Sequence, residues 1–428
     1  MSTTYENVWS PLQVAMFDNP ELSNKDIARL TSKSEAAVRG KRQRLAAGSP
    51  GTVRDYAPPA KPVATYEEDR ERVAGDHLKR EHKALQGKYE KLLKERNVAE
   101  MVVEAVREAA PLSYDPAPPI IRRPKGTGQP QTLVVMLSDT HVGAVVTPEQ
   151  TGGEGCYDFP TFLSRLKFYE DAIISILQDH VTTDVPEIVL VINGDMMDGQ
   201  LNHGAEAGQH NTVFSQFYGA GHAIAQFIRN VAAHAPKVRI YNTVGNHPRW
   251  SNQHKMPTTN RFSNMDLVLS AFLEALTKDI GNVKWFLDQQ PFARFNVFDF
   301  VFQALHGDTL RGGDKAMGIP SHSAARLISA TTSLCESRGT VAPHYYLVGH
   351  MHRSIVLPTA KGSFIVGGGF VGLDGFSLSM NFTPVPPSQT MFFVHPHYGQ
   401  TATYQISLKD AVVRDSPPYT IPGNFPVE

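Results

Sequence analysis

Five apolar, β-forming runs in the later part of this chain break off in the same way. "TLVVMLSDTH" ends in Asp139 and His141, and "EIVLVINGDMMD" ends in Asp195 and Asp198. "VRIYNTVGNH" ends in Asn246 and His247, "FVFQALHGD" in His306 and Asp308, and "HYYLVGHMH" in His350 and His352. A carboxylate or imidazole after one strand is usually a solvated loop residue or a satisfied core histidine; five in order are not. Short Val/Ile/Leu runs alternating with amphipathic helices describe an α/β domain. In open α/β sheets, ligand sites collect beyond the carboxyl ends of the strands. The groups gathered there are carboxylate and amide oxygens and imidazole nitrogens, without a thiolate. That set suits manganese, iron or zinc rather than a cysteine-type structural zinc site.

The chain has 428 residues, enough for two or three domains. Its 41 Lys and Arg nearly balance its 42 Asp and Glu, so overall charge names no partner. Two cysteines, Cys156 and Cys335, are too few for a disulfide framework and fit a reducing cytosol. The start "MSTTYENVWSPLQ" lacks the basic and apolar segments of a secretory signal. No apolar run approaches the roughly 20 residues that span a bilayer. A cytoplasmic protein without a membrane partner is expected. Residues 1–47 are polar and helix-like, 48–64 form a Pro/Gly/Ala-rich linker, and 65–110 read as one long helix. A second linker at 111–131, rich in prolines that halt a helix, precedes the α/β domain at 132–428.

The order and wording of the five strand ends resemble the calcineurin-like metallophosphoesterase superfamily, with its DxH, GDxxD, GNH, lone His and GHxH blocks. They stand here as "DTH", "GDMMD", "GNH", "LHGD" and "GHMH", and the resemblance covers roughly residues 131–410. It implies an α+β sandwich of two packed β-sheets flanked by helices. It also implies two divalent ions, with manganese first and iron, zinc or nickel as alternatives. One ion would take Asp139, His141, Asp195 and His352; the other would take Asp195 as a bridge, Asn246, His306 and His350. His247 would stabilise the transition state or protonate the leaving group, with Asp198 as its partner.

Departures from the family narrow the substrate. Phosphoprotein phosphatases place Arg after GDxxD and an acid after GNH; Gly199 and Pro248 stand here. That leaves phosphodiesterases and nucleases. The segments "GNHPRWSNQHKM" and "GGGFVGLDGFSLSMNF" resemble phage and prophage members, a branch related to double-strand-break-repair nucleases. Arg249, His254, Lys255 and Arg261 are candidates for a polyanion path, whereas His203 and His210 are left out of the ligand set.

"ELSNKDIARLTSKSEAAVRGKRQRLAA" reads as helix, turn, helix: Ile27, Ala28 and Leu30 on one face, Ser34 as the second cap, and Ala37, Val38 and Leu45 on the second face. Residues 24–47 hold seven basic and two acidic residues, a balance of +5. Arg39, Lys41, Arg42 and Arg44 cluster on the second helix, where a DNA-binding helix-turn-helix needs phosphate contacts. In the long helix Leu78, Leu85, Leu92, Ala99 and Val106 recur every seven residues, with His82, Tyr89, Arg96 and Val103 four later. This half-polar seam suits a homodimeric coiled coil or a helix docked on the catalytic domain. The expected function is a DNA nuclease delivered by its N-terminal module. The alternatives are a cyclic-nucleotide or small-molecule phosphodiesterase with a protein-binding N-terminus, and a non-catalytic DNA-binding regulatory protein.

Overall fold

The computed structural model describes residues 13, 16–19, 22–47, 79–88, 101–107, 118–121, 128–199, 212–250, 263–287, 292–310, 320–379, 381 and 383–422. The linker at 48–64, and most of the segments read as the long helix and the second linker, lie outside the described residues. Two compact units divide the chain, Met1–Lys83 and Ala84–Glu428.

In the first unit, α1 (Asn24–Thr31) and α2 (Glu35–Ala46) are joined by a tight turn. Ser23 and Asp26 exchange main-chain bonds in a capping box, and Ser34 caps α2 by accepting the Ala37 N–H at 3.3 Å. Phe17, Ile27 and Val38 form the core, flanked by Met16, Leu22, Ala28 and Leu45. Leu30, expected inside, is 57% exposed. Thr31 is buried instead, one full turn beyond Ile27, and its hydroxyl donates to the Ile27 carbonyl at 2.6 Å.

The second unit is a two-sheet sandwich. Its six-stranded sheet contains β1 (Thr132–Leu137), β2 (Glu187–Asn193), β3 (Lys237–Thr243), β4 (Val283–Phe286), β10 (Ser388–His395) and β11 (Gly399–Ser407), in the order β11-β10-β1-β2-β3-β4. β1 to β4 run parallel, and β10 and β11 close one edge antiparallel. The five-stranded sheet contains β5 (Ala293–Val297), β6 (Phe300–Leu305), β7 (Tyr345–Val348), β8 (Ile355–Pro358) and β9 (Ser363–Val366), in the order β5-β6-β7-β9-β8. Its central strands β6, β7 and β9 are parallel.

Alternation within each strand explains why both faces are apolar. On β1, Leu133, Val135 and Leu137 pack toward α3 (Phe159–Ser175), α4 (Val213–Ala232) and α5 (Met265–Leu276). Val134 and Met136 face the second sheet, against Phe302, Leu347 and Ile365. Tyr346, Val348 and Phe364 face outward under α6 (Ser321–Ser337). A strand buried on both sides reads as a continuous apolar run, so these segments stand out in the sequence. The five runs are β1, β2, β3, β6 and β7; they are not consecutive strands, because β4 and β5 intervene where the chain crosses between sheets.

Residues 101–107 are helical, and Val103 and Val106 pack against the main core of this unit. Arg107 Nη2 pairs with Glu274 Oε2 on α5 at 2.6 Å. At this end the heptad seam is therefore occupied within the chain. Among the described residues no helix is long and apolar enough to cross a membrane.

Phe302 lies fully buried between the sheets, its ring 4.7 Å from Tyr345 and 5.4 Å from Phe295. Phe302→Ala is predicted to cost about 3–5 kcal/mol. Urea unfolding checks this, and a loss below about 1 kcal/mol would show that the sheets do not depend on that ring.

Candidate metal centre

The parallel strands of both sheets deliver their C-terminal loops to one place, and those loops adopt backbone shapes that local preference disfavours. Five candidate ligands have positive φ: Asp139 (53°), His141 (44°), Asp195 (52°), His350 (67°) and His352 (52°). Such conformations cost on the order of 1–3 kcal/mol each and persist only where the surroundings over-determine them. The motif glycines have a steric reason. A Cβ at Gly245 would strike the Asp195 carboxylate, and one at Gly349 would strike the Ser138 hydroxyl beside Asp139.

Among the described residues three overlapping groups of donors result; one joins His141, Asp195 and His247, and the other two share no residue. In one, His141 Nε2 lies 3.1 Å from His352 Nε2, which lies 3.4 Å from Asp139 Oδ1. In the other, His306 Nε2 lies 3.0 Å from Asp195 Oδ2 and 3.2 Å from Asn246 Oδ1, with a His350 ring nitrogen in the same cluster. Asp195 Oδ2 is also 3.9 Å from His141 Nε2, so a single carboxylate oxygen faces both groups. Asp195 Oδ1 accepts the His247 N–H at 2.8 Å. A cation with ligands at about 2.1 Å spaces neighbouring donors about 3.0–3.4 Å apart, which matches the distances within each group but not the 3.9 Å from Asp195 to His141. His306 Nδ1 lies 2.9 Å from the Asn193 carbonyl; donating there leaves Nε2 as the lone-pair atom, the tautomer a metal ligand needs. These buried His/Asp groups fit metal binding.

Burial would push Asp139 and Asp195 up, yet both carboxyls lie below the usual range. His352 bonds to the first, and the charges of His306 and His247 hold the second well down. Burial likewise opposes charge on His306 and His352, but Asp195 raises the former well above its ordinary value and Asp139 raises the latter. His350 is held down to about 3, mainly by burial, and burial also lowers His141. Burial thus favours the neutral, metal-binding form of His141 and His350, while the carboxylates beside His306 and His352 favour the protonated form that a metal would have to displace.

His247 behaves differently. Its Nδ1 lies 3.1 Å from Asp198 Oδ1, and its side chain retains 20% exposure beside the nearly buried Asp198. Burial disfavours its charge, but Asp195 and then Asp198 outweigh that and carry it to about 9. It is a cation at neutral pH. Among the described residues no helix begins at Asp198, whose carboxylate also lies 3.4 Å from His141 Nδ1.

Two supporting residues escape a reading of the sequence. Asp266, at the start of α5, accepts the N–H groups of Asp195 at 2.9 Å, Met196 at 3.2 Å and Gly245 at 2.9 Å. Burial, with the charge of Asp195 beside it, pushes its carboxyl up to about 7. Gln389 on β10, fully buried, accepts the Ser138 N–H at 3.1 Å and donates to the Ser138 carbonyl at 3.0 Å. Gln389 stands between Ser388 and Thr390 in "SQTMFFV", so nothing local marks it. Arg249 is half-buried, with its main chain bridged to Asn264. His203, His210, His254, Lys255 and Arg261 lie outside the described residues. On α2, Arg42 donates to Asn24 Oδ1 at 2.9 Å and to the carbonyls of Leu22 and Phe17 at 3.2 and 3.4 Å, so it holds its own module together. Arg39 pairs with Glu35 at 3.6 Å, and Arg44 reaches the Gly40 carbonyl at 3.1 Å.

No protein-family model and no curated protein matches this chain. Among solved structures it is similar to an archaeal phosphodiesterase at 12% identity, over 64% of this chain and 100% of that one, with a TM-score of 0.29. It is also similar to the Zn-complexed Vps29 of Entamoeba histolytica, at 11% identity over 65% and 99% of the two chains and a TM-score of 0.26. A hypothetical protein from Pyrococcus horikoshii OT3 aligns at 9% identity over 65% and 88%, with a TM-score of 0.33. Likenesses at these identities and scores decide nothing about activity.

Because His306 and His352 lie above their ordinary pKa, manganese binding at pH 7 is predicted to release protons, and its affinity to rise with pH. Isothermal titration in two buffers of different ionisation enthalpy reads the release. Identical apparent enthalpies in both would contradict it.

Proposed function

We propose that this protein is a dinuclear-metal-dependent phosphodiesterase that hydrolyses nucleic acid, DNA foremost, with residues 1–47 as the helix-turn-helix module that delivers it. The observation that carries the chemical half is the pair of donor groups faced by Asp195 Oδ2, with His247, grouped with His141 and Asp195, at their partly exposed edge. Asp139, His141, Asp195 and His352 would hold one ion, and Asp195, Asn246, His306 and His350 the other. Manganese fits first, and iron, zinc or nickel suit the same donors. When bound, such ions supply a nucleophile at neutral pH and counter-charge for phosphoryl oxygens.

The chain's own residues do the rest. Asp195 fixes how far apart the two groups stand. Asp198 faces His247 Nδ1, which would turn Nε2 into the proton donor to a leaving oxygen. The imidazolium also offers positive charge where negative charge develops. Position 199 supports a diester substrate. Gly199 has φ 72°, and a Cβ there would meet the His247 carbonyl, so no side chain at that position can grip a terminal phosphate.

For delivery, Arg39, Lys41 and Arg44 on α2 are the phosphate-binding candidates, since the donors of Arg42 are engaged within the module. Lys255 and Arg249 remain candidates for a polyanion path at the catalytic domain.

His247→Gln is expected to keep its metals and lose roughly 10²–10⁴-fold in hydrolysis of bis-p-nitrophenyl phosphate. Turnover at the unaltered rate, or a collapse of metal content, would refute that role. The triple substitution Arg39→Ala, Lys41→Ala, Arg44→Ala should leave small-diester hydrolysis intact and weaken duplex binding. For every phosphate no longer neutralised, the log–log salt dependence flattens by about 0.9. An unchanged slope in filter-binding titrations would count against DNA delivery.

A further inference from the structure

We infer that Asp266 is the positioning residue that registers the β2 loop on the β3 loop, so that Asp195 and Asn246 meet the same ion; this rests on the two-metal reading above. The β1 and β2 loops stay joined past the strands by main-chain bonds. The Asp139 N–H donates to the Gly194 carbonyl at 3.1 Å, His141 to Asp195 at 3.0 Å and Val142 to Met196 at 3.0 Å. Strand pairing between β2 and β3, by contrast, ends at Asn193 opposite Thr243. Beyond it, the join runs through carboxylates. Asp266 Oδ2 takes the Asp195 and Gly245 N–H groups together, and Oδ1 takes Met196.

Asn264 completes the clamp. Its Oδ1 caps the Asp266 N–H at 2.9 Å, and its Nδ2 donates to the Gly245 carbonyl at 2.7 Å. Both polar groups of Gly245, the residue just before ligand Asn246, are therefore held from the first turn of α5. The Asp195 carboxylate then takes the His247 N–H at 2.8 Å, which carries the same register on to the candidate acid. Only a carboxylate offers acceptors on both oxygens. An amide at position 266 would aim N–H at N–H on one side or the other. Asp266 is 1% exposed, so no water can stand in for a missing acceptor.

The role predicts a selective defect. Asp139, His141 and His352 sit on the β1 and β7 loops, and their shared ligand Asp195 stays tied to the β1 loop by main-chain bonds that Asp266 does not make, whereas Asn246 is placed by the β3 loop. Manganese titration of metal-free Asp266→Asn should show one ion bound nearly as in the unaltered protein and the second weakened about 10–100-fold. The spin-coupled dinuclear manganese signal in electron paramagnetic resonance should fade in parallel. Metal-free melting should fall by only a few degrees, the cost of one buried N–H left without its acceptor. Equal binding of both ions by variant and unaltered protein overturns the inference. So does a uniform weakening of both ions with a metal-free melting point fallen well beyond that, the mark of a merely structural role. If the unaltered protein binds no manganese, the metal reading itself fails and this one with it. Should Asp266→Asn not fold, Asn264→Ala, which removes only the Gly245 carbonyl bond and one cap, must show the same selectivity in milder form.

Discussion

Asp195 is 1% exposed, and against the burial that opposes its charge stand His306 and His247 beside it. An isolated buried carboxylate would take up a proton instead. His306 comes from the end of β6 in one sheet, and Asp195 from the end of β2 in the other. Their approach to 3.0 Å therefore fixes the two sheets at their shared C-terminal edge, and Asp139 repeats the device by accepting the His350 N–H at 2.9 Å. The apolar layer between the sheets drives their association; these polar ties set which ends meet. The left-handed strand ends and the motif glycines follow from the need to bring so many donors within about one cation's reach.

Electrostatics then separate the roles within one cluster. Burial pushes His141 and His350 toward the neutral form, the carboxylates facing His306 and His352 push them toward the charged form, and His247 is held up to about 9 on a partly exposed edge. In the proposed reading, ligand and proton donor are distinguished by surroundings and not by residue type. A cation that neutralised Asp195 would remove part of the support for charge on His247. Asp198, whose bond does not run through Asp195, would keep the rest.

Much of this is legible in the residues. β1, β2, β3, β6 and β7 are short, β-branched and buried on both faces, so their ends can be marked and the Asp, His and Asn after them read as convergent. Pairing with polar partners is harder to read. Leu30 is expected inside and lies outside, because a buried Thr31 satisfies its own hydroxyl along the helix. Arg42 has the charge and place of a phosphate ligand, yet three internal acceptors engage it. Asp266 and Gln389 do their work on main-chain groups 71 and 251 residues away, and no local pattern carries such a distance. The division of the site between two sheets is likewise implied by family resemblance and not by any periodicity.

The claim on which the rest stands is that two cations share Asp195. Anomalous diffraction at the manganese edge from crystals grown with that metal tests it most directly. Two peaks are expected, one among Asp139, His141 and His352 and one among Asn246, His306 and His350, with Asp195 between them. A single peak away from Asp195, or none at saturating metal, would contradict it.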